Sequence, residues 1–382
     1  LNEDKATRYH RLRRRASLLS LAAAGALLVA AVRGEWGRAL AGATEVALRA
    51  AGVPPAWQPW ASVAGVVLGL AALVEAVALP SAWYLGYVLP RRYGLSQQSA
   101  GEWLADHVKA GALGLVVSLA AAQGVYGAMR SWPGGWWVAA GLCLTGLTAV
   151  LVWLGPLVVL PLFYRFERIT QPGIADRLVD LAGRAGARVF GVYRWSLGDK
   201  SRTANAALVG LGPTRRVLLS DTLLADYTPE EIEVILAHEL AHHVHGDIWK
   251  GLLVEAAQTV VVLAVADVVL RRYGPAMGVA GVADPAGLPL LVLVAGACSV
   301  VLAPALNALS RRHERRADRF ALDLTRNPGA FVSAMRRLGA QNLADESPSR
   351  LTEWLFHSHP PLAARIAAAQ AWAAAASSPQ QS

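Results

Sequence analysis

Residues 136–165 read WWVAAGLCLTGLTAVLVWLGPLVVLPLFYR, and the only charged side chain in this stretch is Arg165 at its end. A helix of about 20 apolar residues crosses the hydrocarbon core of a bilayer, so this run crosses with length to spare. Working outward from it, comparable runs lie near 16–33, 62–89, 108–129, 251–270 and 287–309. The 382-residue composition agrees, with 54% hydrophobic and 16% charged residues, against about 25% charged in an ordinary soluble domain. The expectation is a mainly α-helical, polytopic membrane protein with about six spans. Four spans fall in residues 1–165 and two in 251–309, with a polar insert at 166–250, further helices at 310–372 and an irregular tail at 373–382.

The formal net charge is +9, and the basic residues cluster where apolar runs end, as in Arg13-Arg14-Arg15, Arg91-Arg92 and Arg271-Arg272. That distribution reports topology rather than a phosphate-binding face, so no nucleic-acid partner is expected. The amino-terminal tail carries Lys5, Arg8, Arg11 and Arg13 to Arg15 and should stay cytoplasmic. Six alternating spans then place 90–107, the insert and everything after about 310 on that same face, with Arg271-Arg272 as the exception outside. Ala39-Leu40-Ala41 resembles a cleavage box but lies well beyond the first apolar run, so a retained anchor is expected. Cys143 and Cys298 both fall in expected spans and form neither a disulfide framework nor a metal pair. Only four lysines stand against 32 arginines. That bias, with the abundant alanine, points to a bacterial chain in the cytoplasmic membrane.

The insert reads as a small α+β layer. Ile174 to Ala187 has helical spacing, and Val189–Trp195, Ala206–Val209 and Arg215–Leu219 read as strands, the last two joined through Gly210-Leu211-Gly212-Pro213-Thr214. Short strands of this kind supply an edge on which an extended peptide pairs. Thr228-Pro229-Glu230-Glu231 then announces a helix, with a capping threonine, a first-turn proline and a glutamate three residues after the cap. Inside it stands His238-Glu239-Leu240-Ala241-His242. Two histidines four apart share one helix face and reach one metal ion, and the intervening glutamate is the residue a metallopeptidase uses as general base toward water. Gly246 should end the helix, and the fifth span begins at Trp249, seven residues after His242, which puts the site near the bilayer surface.

Catalytic zinc takes three protein ligands. Past the sixth span, Ser310-Arg311-Arg312-His313-Glu314-Arg315-Arg316-Ala317-Asp318 places Glu314 and Asp318 four apart on a helix. Glu314 can complete a His-His-Glu set, and Asp318 can accept a hydrogen bond from the outer nitrogen of a ligand histidine. On spacing alone, both acids could equally well neutralise the surrounding arginines. His243, His245, His313 and His357 are rival ligands, with His243 pointing away from the face shared by His238 and His242.

The chain resembles the type I CAAX prenyl proteases, integral-membrane zinc metalloproteases, over about residues 80–370. The motifs occur in family order. They are Arg91-Arg92-Tyr93-Gly94-Leu95-Ser96, Pro161 to Phe166, Thr203-Ala204-Asn205-Ala206 with Arg216 to Leu224, the histidine helix, the Glu314 to Asp318 element, and His357-Ser358-His359-Pro360-Pro361-Leu362 with Arg365. The resemblance implies one Zn2+ ligated by His238, His242 and Glu314, with Glu239 as base, Asp318 behind a ligand histidine and His359 stabilising the oxyanion. It also implies substrate contacts at Asn205 and Arg365. It implies a barrel of helices around a hydrated chamber, in which Glu75, Glu255 and Asp267 would fit, although such acids also sit near helix ends or pair with arginine. Eukaryotic members have seven spans, which leaves one unaccounted for near the amino terminus.

The expected activity is hydrolysis of peptide bonds in peptide or protein substrates, lipid-modified or membrane-associated chains among them, with the site on the cytoplasmic side. A membrane-protein quality-control protease with no prenyl requirement is the first alternative. A metal transporter or channel without proteolysis is the second.

Overall fold

The computed structural model describes residues 4–169, 173–210, 215–345 and 347–377. Helix α1 (Lys5–Arg33) is followed by α2 (Trp36–Ala50) and α3 (Gln58–Trp83). A π-helical turn at Tyr84–Val88 carries α3 into α4 (Leu89–Arg92), and a second at Gly155–Val159 joins α6 (Trp136–Leu154) to α7 (Leu160–Phe163). Each π turn ends two residues before a proline, Pro90 or Pro161. A proline removes one i→i−4 bond and crowds the preceding turn, which widens there instead of breaking. With α5 (Ala100–Ser131), α11 (Asp247–Tyr273) and α12 (Leu288–Thr325), six helices among the described residues are long and apolar enough to cross a membrane.

These six close into a ring. α1 packs on α3, α3 on α5, α5 on α6, α6 on α11, α11 on α12 and α12 back on α1. At the end far from the insert the ring is filled by a packed apolar cluster that includes Val66, Tyr126, Met129, Trp136, Ala266 and Leu290. Trp57, Trp60, Trp132 and Trp136 mark that end, and Trp83, Trp103 and Trp249 the other, as amphipathic rings do at membrane boundaries. Arg271, the exception to the charge rule, is neutralised where it stands by Asp267 at 2.9 Å, which also accepts the Trp136 indole N–H at 2.6 Å. Glu75 pairs with His107 at 2.7 Å, and Glu255 accepts the hydroxyls of Thr148 and Thr259.

Helix α2 falls where sequence patterning shows no span. Leu40 lies against Gly69 and Thr44 against Gly65, so it runs antiparallel to α3, beyond the point where Ser20 of α1 meets Ser81. Its 15 residues reach about 22 Å, short of a full crossing.

The insert holds a four-stranded sheet in the order β1-β2-β4-β3, from β1 (Phe166–Arg168), β2 (Gly191–Trp195), β3 (Ala206–Val209) and β4 (Arg216–Ser220). β2 and β4 are parallel and the other pairs antiparallel. One face, with Val192, Leu208, Val217 and Leu219, packs on α8 (Ile174–Arg184), α10 (Pro229–Val244), α13 (Pro328–Gln341) and α15 (Leu362–Ser377). The other face, with Trp195 and Leu218, packs on Leu160 and Tyr164 at the end of the fourth span. The short α9 (Asp221–Asp226) follows β4, and α14 (Arg350–Phe356) precedes α15.

Several sequence boundaries shift. α8 ends at Arg184 rather than 187, because Gly186 takes a left-handed φ of 72° and terminates it. β1, only three residues long, carries no periodicity to read. The connector at Leu211–Thr214 lies outside the described residues. The divisions at 250 and 310 fall inside α11 and α12, since a change from apolar to polar composition does not interrupt a helical backbone. Helix α15 runs through Ser377, into the tail expected to be irregular, because 373–376 are alanines; the rest of that tail is outside the described residues.

Candidate metal centre

Helix α10 starts as its sequence dictates. Thr228 Oγ1 accepts the Glu231 N–H, and the Glu231 carboxylate accepts the Thr228 N–H at 2.9 Å. Glu231 also accepts the Ser333 hydroxyl at 2.5 Å, which ties the helix start to α13. Ile232, Leu236 and Leu240 pack into the insert core, so the opposite face holds the histidines on a rigid mount.

That face meets α12. His238 Nε2 lies 3.2 Å from Glu314 Oε2, and His242 Nε2 lies 3.5 Å from Glu314 Oε1. One ligand atom from each of His238, His242 and Glu314 lies within 4.8 Å of the other two. The outer nitrogens are anchored from behind, His238 Nδ1 by Asp318 Oδ1 and His242 Nδ1 by Asp247 Oδ2, each at 2.9 Å. Asp318 in turn takes the Arg365 guanidinium, Nε at 2.8 Å and Nη2 at 2.5 Å. Asp247 takes Arg316, with His313 at 3.9 Å.

The site fits a divalent cation. Glu314 Oε2 is buried and makes no hydrogen bond of acceptable geometry, although ring nitrogens of His238 and His359 lie 3.2 and 2.8 Å away. Two imidazoles whose inner nitrogens face an acceptor-only carboxylate, with their outer nitrogens on carboxylates, are a donor set that suits zinc. Burial works against a charged His238, but its hydrogen bond to Asp318 and the adjacent Glu314 carboxylate outweigh that and lift its pKa to about 9. Burial also raises the pKa of Glu239, which the neighbouring His238 and His242 pull back in part.

Of the rival ligands, His243 Nε2 donates to the Leu208 carbonyl at 2.9 Å and His245 stacks edge-on against Phe320. His313 faces Asp247, and the backbone carbonyl of His357 faces Arg311. Glu314 and Asp318 therefore meet histidines and Arg365, while the neighbouring Arg316 is taken by Asp247. Asn205 is exposed at the start of β3, its carbonyl accepting the Ser220 N–H at 2.9 Å. By antiparallel alternation the N–H and C=O of Ala206 and Leu208 then turn to the free edge, and the His243 contact shows that this edge faces α10. Arg365 has its planar fork on Asp318, where it offsets a second buried carboxylate beside Glu314.

Residues 169–373 match peptidase family M48, and residues 2–165 match the CAAX prenyl protease N-terminal family, described as five membrane helices. The chain belongs to peptidase family M48. Among its relatives, an uncharacterized metalloprotease, YhfN, of Bacillus subtilis is 28% identical over 306 residues, 79% of this chain and 72% of that one. The CAAX prenyl protease 1 of Saccharomyces cerevisiae is 22% identical, covering 80% of this chain and 70% of its own, and the human homologue is 24% identical, covering 79% and 72%. The crystal structure of S. mikatae Ste24p superposes with a TM-score of 0.83 at 20% identity, over 96% of this chain and 88% of that one. This M48 chain is an integral-membrane metalloprotease acting on peptide or protein substrates, with the helical-ring fold of that structure. A transporter without proteolysis is set aside by the same finding. The amino-terminal match contains four of the six candidate spans together with α2.

Asp247 went unrecognised in the sequence. It is five residues after His242, a spacing that would put it on another helix face, but Gly246 at φ 66° breaks the helix between them and swings it back.

Proposed function

We propose that this M48 peptidase is a single-zinc endopeptidase on the cytoplasmic face of the membrane, cleaving membrane-associated chains in the manner of a CAAX prenyl protease. The convergence of His238, His242 and Glu314 within 4.8 Å carries the reading. Zinc held by these three would supply a Lewis acid that brings the pKa of water from about 15.7 toward 7 and polarises the scissile carbonyl. Asp318 and Asp247 keep both imidazoles turned with Nε2 inward, and Arg365 steadies Asp318. Glu239, its pKa raised by burial, takes the proton from the attacking water and returns it to the leaving amine. His359 donates to the oxyanion. The substrate lies along the β3 edge facing α10, where the N–H and C=O of Ala206 pair with it and Asn205 guides its entry.

A second reading keeps this chemistry but drops the lipid requirement, making the enzyme a quality-control protease. The alanine- and arginine-rich composition favours it, since it marks a bacterial chain and bacteria generally lack protein prenylation. Cleavage of prenylated and bare versions of one peptide separates the two: a preference for the prenylated form supports the first reading, and equal rates the second. For the shared mechanism, Glu239→Gln should keep zinc and lose cleavage; turnover at the wild-type rate would refute it.

A further inference from the structure

His359 is 63% exposed, yet its Nδ1 sits 2.8 Å from Glu314 Oε2. An exposed ring has little packing to hold it, so its place must be set by its backbone. Two residues earlier, α14 ends against α12. The last carbonyls of a helix lack intrahelical N–H partners; here α12 supplies donors to them, and a second donor to the Glu353 carbonyl, which also accepts the His357 N–H at 3.1 Å. Arg311 Nη1 donates to the carbonyls of Glu353 at 3.1 Å and His357 at 2.5 Å, and Asn307 Nδ2 donates to that of Leu355 at 2.9 Å.

Arg311 differs from the rest of its basic run. Arg312 and Arg315 are exposed, whereas the Arg311 side chain is 8% exposed, with its nearest carboxylate, Glu353, at 3.6 Å. A buried guanidinium that directs its closest donors at main-chain carbonyls fixes a chain path more than it balances a charge. Asn307, Arg311, Glu314 and Asp318 follow the spacing of one helix face. That face binds the chain on both sides of His359, at His357 through Arg311 and at α15 through the Asp318–Arg365 pair. Between these points Pro360 and Pro361 restrict the backbone further.

We infer that Arg311 is a positioning residue for His359, holding the oxyanion donor over the metal carboxylate through the end of α14. This rests on the role proposed above for His359. The test uses the full-length zinc-loaded protein in bilayers, with Arg311→Lys, Arg311→Gln, His359→Ala and the double variant Arg311→Gln/His359→Ala. Both Arg311 variants should keep wild-type zinc content and a KM within about twofold and lose kcat by about tenfold or more, and Arg311→Gln should add no further loss once His359 is alanine. Wild-type activity in His359→Ala would overturn the reading of His359 itself. An impaired His359→Ala beside fully active Arg311 variants would overturn only the present inference. So would zinc loss in Arg311→Lys, or losses that multiply in the double variant. If the Arg311 variants fail to accumulate in membranes, Asn307→Ala removes the neighbouring clamp alone. It should lower kcat a few-fold, an effect absent in the His359→Ala background; an unchanged kcat, or a loss that persists there, counts against the clamp.

Discussion

At the far end of the helical ring Val66, Tyr126, Met129, Trp136 and Ala266 close the interior with at most 1% of each residue exposed. At the end near the insert the same helices carry largely exposed sides, and polar groups converge instead: His238, Glu314 and Asp318 are buried, but each faces a charge or a ring nitrogen. One end is held by packing, the other by hydrogen bonds between ionisable groups. The contrast teaches that chemistry here does not require a tightly packed membrane interior around it. It requires one rigid helix, α12, that begins in the packed end and finishes in the metal centre.

The widest separation between the two ends should come from Glu239→Gln. It removes the proposed base while leaving the hydrogen bonds of both histidines untouched, so cleavage should fall about 10²- to 10⁴-fold with zinc content and melting temperature unchanged. A peptide assay beside metal analysis reads both. At the other end, Trp136→Ala should do the reverse. It opens a cavity and leaves Asp267 without the indole donor, costing about 3 kcal/mol. That is the low end for such a change in water, because among lipid tails mainly the packing loss remains. Turnover per folded, zinc-loaded molecule should not move; if it did, the two ends would not be separable.

How far this division could be read beforehand follows the range of each signal. The spans were legible because about 20 consecutive apolar residues suffice to mark one, and the α10 pair because both histidines lie within one helical turn. Glu314 and Asp318 were legible as a pair by spacing but not by purpose, since only the tertiary contact of α10 with α12 separates a ligand from a neutraliser of arginine. Asp247 was hidden by the left-handed Gly246. β1 was too short for its periodicity to show, and α2, a 15-residue amphipathic helix, lacks the run of about 20 apolar residues that marks a span. The sheet order, which sends the β3 edge to α10, depends on pairings between segments that local pattern does not encode. Arg365 was singled out for the right neighbourhood, but its partner is a carboxylate on a different helix.

A smaller effect sharpens the metal end itself. Asp318→Asn and Asp247→Asn each remove the charge behind one proposed ligand histidine while keeping the shape, and each should weaken zinc binding about 10- to 100-fold. Competition with a fluorescent chelator measures this. If only Asp318→Asn weakened binding, Asp247 would be a partner of Arg316 and nothing more.

The smallest step per unit is the dependence on pH, and its sign differs between the metal-free and metal-loaded states. In the metal-free protein the His238 pKa is raised from 6.5 to about 9. Its contribution to stability is therefore full below about pH 6.5 and is lost as pH climbs through about 9. Zinc requires the imidazole neutral, so loading must expel that proton. Below about pH 6.5 the unfolded chain then holds a proton the loaded protein lacks, and loaded stability rises with pH before levelling off. The gap between loaded and metal-free melting should consequently widen up to about pH 9, with affinity rising about tenfold per pH unit through this group alone. Melting curves at fixed free zinc from pH 6 to 10 test it. Trp136→Ala should lower both curves without changing the gap, whereas Asp318→Asn, which removes a main support of the His238 proton, should flatten the metal-free slope. A gap that narrowed with rising pH would mean that the His238 proton is not displaced by the ion.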